Sequence, residues 1–431
     1  MPTLSFVLIE SFKEAFAFYL QWWWFFTPLI LWPIFEIAWI NYVQEKYIRG
    51  IKWKLLEIKI PKELEKRPKT MDEFFAALYS TNDVVIDTLY DVYLGGMVDV
   101  WFSFEIVSIE GDIHFYIRTP ELSADVIEAQ IYAQYSDAEI KEVEDYVRNV
   151  PDDIPSEDYE LWGTDMKLTK EDSYPIRTYK EYEDTASGDF IDPISNIVEG
   201  VSKLRKGEQI WIQILVRAVK DDWKKEADDL VLKLIGRKDQ KNKKGEGFFS
   251  LIVSEIVDLG RYTLLGFFSP QSLSSKKEDK KEEKESLSMM LHLSPGEKEV
   301  VTAIGNSTKR PGFETDIRWI YLAKRNIFDK TKGNAIVFSF LSQFGSQDLN
   351  SFVPNAKTKT SAYYFLTDYR KALRKRQILR KYKRREFDQR SYVLNTEELA
   401  TIYHFPTIEV KAPVAPRVEA KRGKPPTELP V

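Results

Sequence analysis

Between Ala15 and Phe35 the chain reads AFAFYLQWWWFFTPLILWPIF, 21 residues without a charge. Gln21 and Thr27 are its only strongly polar side chains. As a helix the stretch is roughly 30 Å long, the thickness of a bilayer's hydrocarbon core. Pro28 and Pro33 disfavour a water-exposed helix, whereas membrane helices tolerate proline. Six of the 11 tryptophans (Trp22, Trp23, Trp24, Trp32, Trp39 and Trp53) fall in the first 53 residues, and tryptophan favours the membrane–water boundary. The reading taken is a transmembrane or deeply inserted helix, with Trp22, Trp23, Trp24, Phe25, Phe26, Leu29, Ile30, Leu31 and Trp32 in the membrane. The alternatives are an aromatic core helix or one lying flat among headgroups. Lys46, Arg49, Lys52 and Lys54 follow the run, so the bulk of the chain is expected in the cytoplasm, behind a single pass of the cytoplasmic membrane. A signal peptide is disfavoured, because the leading region is not basic and no small-residue cleavage site follows.

The rest of the chain is of another kind. With 30% charged residues it does not read as a polytopic membrane protein. The absence of cysteine excludes disulfides, thiolate metal sites and a thiol nucleophile. His114, His292 and His404 lie far apart and lack metal-ligand spacing, so no metal or cofactor is expected.

Hydrophobic periodicity then sets the fold class. Residues 70–93 read as a helix that Thr70 can cap, with Phe74, Ala77 and Leu78 at helical spacing. Val98, Val100, Phe102, Phe104 and Ile106 alternate with polar or amphipathic residues, the pattern of a half-buried strand. A turn at Glu110-Gly111-Asp112 leads to a second alternation through Ile113, Phe115 and Ile117. After Pro120 a helix carries Leu122, Val126, Ala129 and Ala133 on one stripe, followed by a short strand near 138–147. The expectation is an α+β protein with ferredoxin-like hairpin–helix–strand units behind a transmembrane helix. A similar order recurs: strands in 159–180, a helix at 193–206, a strand at 209–218 and a helix at 221–235.

Residues 236–246 form a basic break, and 247–268 read as an amphipathic helix, either packed on the domain or touching the membrane. Residues 271–288 read as a disordered, charged insert. Ser294-Pro295-Gly296-Glu297 is a helix start with a capping box. A strand at 314–325, a helix at 332–347 and a long helix at 362–386 follow. The expected divisions are 1–60, the anchor and juxtamembrane segment; 61–236, the ferredoxin-like region; 237–292, the insert; 293–392, a third β–α segment with a basic helix; and 393–431, a Pro-rich linker.

Motifs of catalysis are missing. The one Gly-Lys pair, Gly423-Lys424, is followed by Pro425, so a phosphate-cradling Walker loop is absent. Asp152-Asp153, Asp221-Asp222 and Asp228-Asp229 read as solvated acids, and Ser274-x-x-Lys277 falls in the low-complexity tract. The chain is therefore not read as an enzyme. The charge feature that does emerge is Arg370–Arg385, where ten of sixteen residues are basic: Arg370, Lys371, Arg374, Lys375, Arg376, Arg380, Lys381, Lys383, Arg384 and Arg385. Such a helix binds nucleic-acid phosphates, lies on anionic lipid, or pairs with acids of a protein.

Two stretches resemble a known family. Phe102–Tyr146 (FSFEIVSIEGDIHFYIRTPELSADVIEAQIYAQYSDAEIKEVEDY) resembles the domain preceding the ATPase in bacterial membrane-anchored type IV secretion and conjugative DNA-transfer ATPases. Leu394–Pro430 resembles the segment leading into that ATPase, with Asn395-Thr396-Glu397-Glu398-Leu399-Ala400-Thr401 and His404-Phe405-Pro406 carrying the match, and Leu293–Ile304 is similar too. The resemblance implies the non-catalytic front half of such a machine. Its implied partners are the membrane, a translocation ATPase module or other secretion subunits, DNA as one candidate cargo, and further copies of itself.

Overall fold

The computed structural model describes residues 4–61, 66–81, 90–183, 190–220, 222–235, 293–362, 366–387 and 391–407. The basic break, the amphipathic stretch 247–268, the charged tract 271–288, His292 and the tail from residue 408 lie outside them, as do residues 82–89 of the first helix expected after the anchor.

Two units make up the chain. The first contains α1 (Leu4–Gly50), a continuous helix of 47 residues that passes through both Pro28 and Pro33. A short π-helical turn, Asp91–Gly95, belongs to the same unit. It packs on the last third of α1: the Trp39 indole donates to the Tyr93 carbonyl at 2.7 Å, and the Tyr93 hydroxyl to Glu36 at 2.5 Å. Gly96, at φ 62°, presses against the Val43 carbonyl, where no side chain fits.

The second unit is built on one antiparallel sheet. In chain order its elements are β1 (Trp53–Lys59), α2 (Lys69–Ser80), β2 (Phe102–Ile109), β3 (Asp112–Pro120), α3 (Glu121–Gln134), β4 (Glu139–Glu142), β5 (Tyr159–Leu168), α4 (Ser195–Val201), β6 (Glu208–Ala218), α5 (Asp222–Leu234), α6 (Pro295–Ser307), β7 (Gly312–Lys324), α7 (Lys330–Ser342), β8 (Phe352–Pro354), α8 (Thr367–Arg384), β9 (Tyr392–Asn395) and α9 (Thr396–Ile402). The strand order is β4-β1-β3-β2-β6-β7-β5-β8, with β9 also on β7. β5 pairs with the C-terminal half of β7 and β9 with its start.

That order is a palindrome. β1–α2–β2–β3–α3–β4 forms a split βαβ unit with its strands ordered fourth, first, third, second. β5–α4–β6–β7–α7–β8 repeats the pattern, with α5 and α6 inserted into its hairpin. The second strands of the two halves, β2 and β6, pair from Phe102↔Val216 to Ile109↔Gln209 and fuse both halves into one sheet. Within the segment 293–392, β7 and β8 complete the second half of the sheet. In the first half the hairpin turn is Glu110-Gly111, both residues at positive φ, as a two-residue type I′ turn requires. Gly207 donates to the Glu110 carboxylate at 2.8 Å, locking this turn to the start of β6.

Helices α2, α3, α4, α7 and α9 cover one face. Their core includes Phe74, Phe75, Ile127, Ile131, Ile197, Val198, Phe340 and Leu399, packed on Phe104, Ile212, Ile214 and Trp319. The other face is also buried, which the alternating pattern did not anticipate for β2. Ile378, Leu379 and Tyr382 of α8 pack there with Val147, Val150 and Ile154 on Val107, Trp211, Ile320 and Leu322. β2 is therefore buried through Phe102–Ser108, and Ser103 and Glu105 lie in the interior.

Three further details differ from expectation. α2 is capped by Pro68 without a side-chain bond, and Thr70 lies inside the helix. α3 buries Ala124, Ile127 and Ile131, while the stripe Leu122, Val126, Ala129 and Ala133 faces outward. The helix expected at 362–386 is the shorter α8.

Candidate functional site: an aromatic helix and a basic helix

In the first unit the aromatic run lies within α1. Trp24 is 59% exposed, Phe25 53%, Leu31 50%, Trp32 63%, and Ile34 and Phe35 57% each. Residues 31–35 are consecutive, so they point in every direction around the helix axis and all are exposed. Soluble helices turn one apolar stripe inward, and a helix apolar all round belongs in an apolar surrounding. Trp22, Trp23, Phe26, Leu29 and Ile30 share the helical backbone of this run. Among the described residues no helix is long and apolar enough to cross a membrane. α1 has the length, but the run from Ala15 to Phe35 holds four tryptophans, a tyrosine, two prolines, Gln21 and Thr27 among its 21 residues, and Lys13 and Glu36 flank it. The described structure therefore does not support the transmembrane helix expected from the sequence.

In the second unit the basic side chains of α8 divide between two roles. Four turn inward. Arg374 donates to the Lys359 carbonyl at 3.2 Å and to the Ser361 carbonyl, pinning the loop after β8 onto the helix. Lys375 meets Glu160 at 2.6 Å, and Lys383 meets the Val150 carbonyl at 2.5 Å and Asp152. Arg385 is buried completely. Its Nε donates to Glu105 Oε1 at 3.0 Å and its Nη2 to Asp145 Oδ1 at 2.9 Å. Arg370, Arg376, Arg380 and Arg384 are exposed, and Lys371 and Lys381 are intermediate. Lys371 lies 3.4 Å from Asp368, and Arg384 3.2 Å from Glu386. The ten basic residues are thus not one uniformly charged surface: four are structural, and among the rest Arg376, Arg380 and Arg384 form an exposed arginine stripe.

Under α8 runs a polar chain linking both halves of the sheet. Glu105 of β2 also accepts from Ser103 (2.6 Å), Tyr146 (2.8 Å) and Gln213 (3.2 Å). Gln213 in turn accepts from Arg318 at 3.3 Å, and Arg318 binds Asp165 at 2.5 Å and Asp316 at 3.3 Å. Burial would raise the Glu105 carboxyl, but the Arg385 guanidinium, Ser103 and Tyr146 outweigh it and hold it below the usual range.

Sequence reasoning missed two residues beside α8. Lys330 begins α7 and sits over the Trp162 ring at 5.6 Å, and Lys359 lies in the pinned loop. Partial burial and the ammonium groups of Lys359, Lys371 and Lys375 lower the Lys330 pKa. The four lysines come from three elements, and nothing in their spacing announced the grouping.

Among the described residues, His114 and His404 form no common site. His114 Nδ1 lies 2.6 Å from Glu57, and His404 Nε2 lies 2.8 Å from Asp192 in the helix-covered core. Among the described residues no group of His, Asp or Glu is arranged to hold a metal.

Fold and surfaces together define an α+β protein in which a doubled antiparallel sheet carries a basic helix, with an aromatic helix in the other unit. The chain belongs to the family described as Domain of unknown function (DUF8128), matched over residues 44–417. The match begins just past the aromatic run of α1. No curated protein matches the chain.

Proposed function

We propose that this protein is a non-catalytic scaffold attached to the cytoplasmic membrane through α1, which tethers or assembles a translocation ATPase module or other secretion subunits there. The observation that carries the reading is the exposed, all-round apolar surface at residues 31–35 together with Trp24 and Phe25. Each such side chain gains about 1.5–3 kcal/mol on full transfer out of water, so a bilayer boundary stabilises what an aqueous surface penalises. Tryptophan-rich helices with prolines suit the headgroup boundary or a deep, incomplete insertion better than a plain span. The ATPase partner is argued from resemblance alone, through Leu394–Pro430.

Flotation of the full chain with phosphatidylcholine vesicles, with and without phosphatidylglycerol, tests the attachment. The chain is expected to float with both, and Trp24→Ser with Trp32→Ser to sink. Recovery of the wild-type chain in the bottom fraction with both vesicles would end this reading.

A second reading, polyanion binding, is favoured by the grouping of Lys330, Lys359 and Lys371 beside the exposed arginines of α8. It predicts salt-dependent retention on DNA that Lys330→Ala with Lys359→Ala weakens.

A further inference from the structure

The geometry points to a head-to-tail contact between copies of this chain, in which the acidic and apolar face of α3 in one copy receives the arginine stripe of α8 in the next.

α3 presents Leu122 at 95% exposure, Val126 at 44% and Tyr132 at 43%, with Ala129 and Ala133 exposed on the same side. Its acids, Glu121, Asp125 and Glu128, crowd the first two turns. The corresponding helix of the duplicated half, α7, instead turns out Thr331, Ala335, Ser339 and Ser342. The fold therefore does not require an apolar outer face at this position.

α8 carries the complement in reverse order. Leu366, at its N-cap, is 75% exposed, Tyr369 64% and Leu373 38%, while Arg376, Arg380 and Arg384 follow toward the C-terminus. Laid antiparallel, the arginines meet Glu121, Asp125 and Glu128, and Tyr369 and Leu373 meet Ala129, Tyr132 and Ala133. A parallel arrangement sets Tyr369 and Leu373 among Glu121 and Asp125 as well as Leu122 and Val126, and leaves the arginines against Ala129, Tyr132 and Ala133, where α3 has no acid. The antiparallel order also brings the acidic N-terminal turns of α3 to the basic C-terminal turns of α8, each charge at the helix end that favours it.

The two surfaces lie on opposite faces of one sheet, α3 over the core of Phe104 and Phe115 and α8 over Trp211. One chain cannot join them to each other. Neither face is self-complementary in charge. The contact is heterologous and propagates from copy to copy. It does not depend on the membrane reading.

The lack of cysteine makes the test direct. Full chains carrying Ala129→Cys and Leu373→Cys are mixed in detergent and treated with a short thiol-to-thiol crosslinker. Crosslinked dimers are expected in the mixture and not with either variant alone. Arg376→Glu with Arg380→Glu on the Leu373→Cys chain lowers the yield about tenfold or more, and Asp125→Lys with Glu128→Lys on the other chain restores it. Ala133→Cys replaces Ala129→Cys should the latter unfold by circular dichroism. Absence of mixed dimers, self-crosslinking by one variant, or a yield indifferent to charge reversal overturns the proposal. So does DNA retention lost on arginine reversal without any mixed crosslink, which would make the stripe a nucleic-acid surface.

Discussion

Arg385, at the left-handed residue that ends α8, donates from Nε to Glu105 Oε1 at 3.0 Å, 280 positions back in the chain. Glu105 is fully buried and belongs to β2, the strand that joins the two halves of the sheet. A buried charge deprived of its partner is costly, about 3–5 kcal/mol. Arg385→Gln should destabilise the protein by that order, because Glu105 then keeps only neutral donors. Glu105→Gln should cost less, because Asp145 still neutralises Arg385. Urea denaturation of the two variants and their combination measures the asymmetry, with the double variant less destabilised than the sum. A costlier Glu105→Gln would contradict this account of the network.

Two groups of carboxyls give the pH dependence opposite signs. Burial would raise Asp192, but His404 and the Thr407 and Ile194 amides outweigh it and hold it below its ordinary 3.8. Glu105 is likewise held below 4.5. Both contribute stability that is complete above their unfolded values and is lost as the pH falls through the folded ones. Glu398 is different. Burial, against the bonds from the Asn395 and Ile176 amides, raises it from 4.5 to about 8. Burial also raises Asp172 from 3.8 to about 6. For these two the folded state binds the proton more tightly, so stability declines as pH rises from about 4.5 to about 8. The expected profile is a rise on acidification from pH 8, a maximum near pH 5, and a fall below about pH 4. Glu398→Gln forfeits one acceptor and some absolute stability, but should flatten the slope between pH 5 and 8. A slope that persists would show that Glu398 is not its source.

The strand pattern was largely legible. Ile210, Ile212, Ile214 and Val216 alternate into the helix-covered core as the sequence implied, and the Glu110-Gly111 turn falls where the hairpin needed it. Alternation reports one buried face, however, and says nothing of what covers the other. Ser103 and Glu105 therefore read as solvent-facing until α8, some 260 residues later, lies over them. The α3 stripe failed for a related reason. Ala124, Ile127 and Ile131 share helical spacing as well as Leu122, Val126, Ala129 and Ala133 do, and periodicity cannot choose between two apolar faces of one helix. The basic run was visible as charge, but its division into structural and exposed cations depends on Glu160, Asp152 and Glu105, all distant in sequence.

Two helix starts carry the same capping box in different surroundings. Ser294 accepts from the Glu297 amide before α6, and Glu297 returns to the Ser294 amide at 2.8 Å. Asn395 accepts from the Glu398 amide at 2.9 Å before α9, and Glu398 returns at 2.8 Å. The first box is exposed and faces water on both groups. The second is buried, and the Asn395 amide also donates to Ser307 of α6 at 2.8 Å. Loss of a cap costs about 0.5–2 kcal/mol, the lower end applying where water replaces the lost bond. Ser294→Ala should therefore fall near the lower end and leave α9 untouched. Asn395→Ala should exceed about 2 kcal/mol, because it strands the Glu398 amide and the Ser307 hydroxyl away from water. Hydrogen exchange resolves the two: faster exchange confined to the first turn of α6 for Ser294→Ala, and across α9 and β9 together for Asn395→Ala. Equal losses for the two variants would mean that burial of the second cap adds nothing to its role.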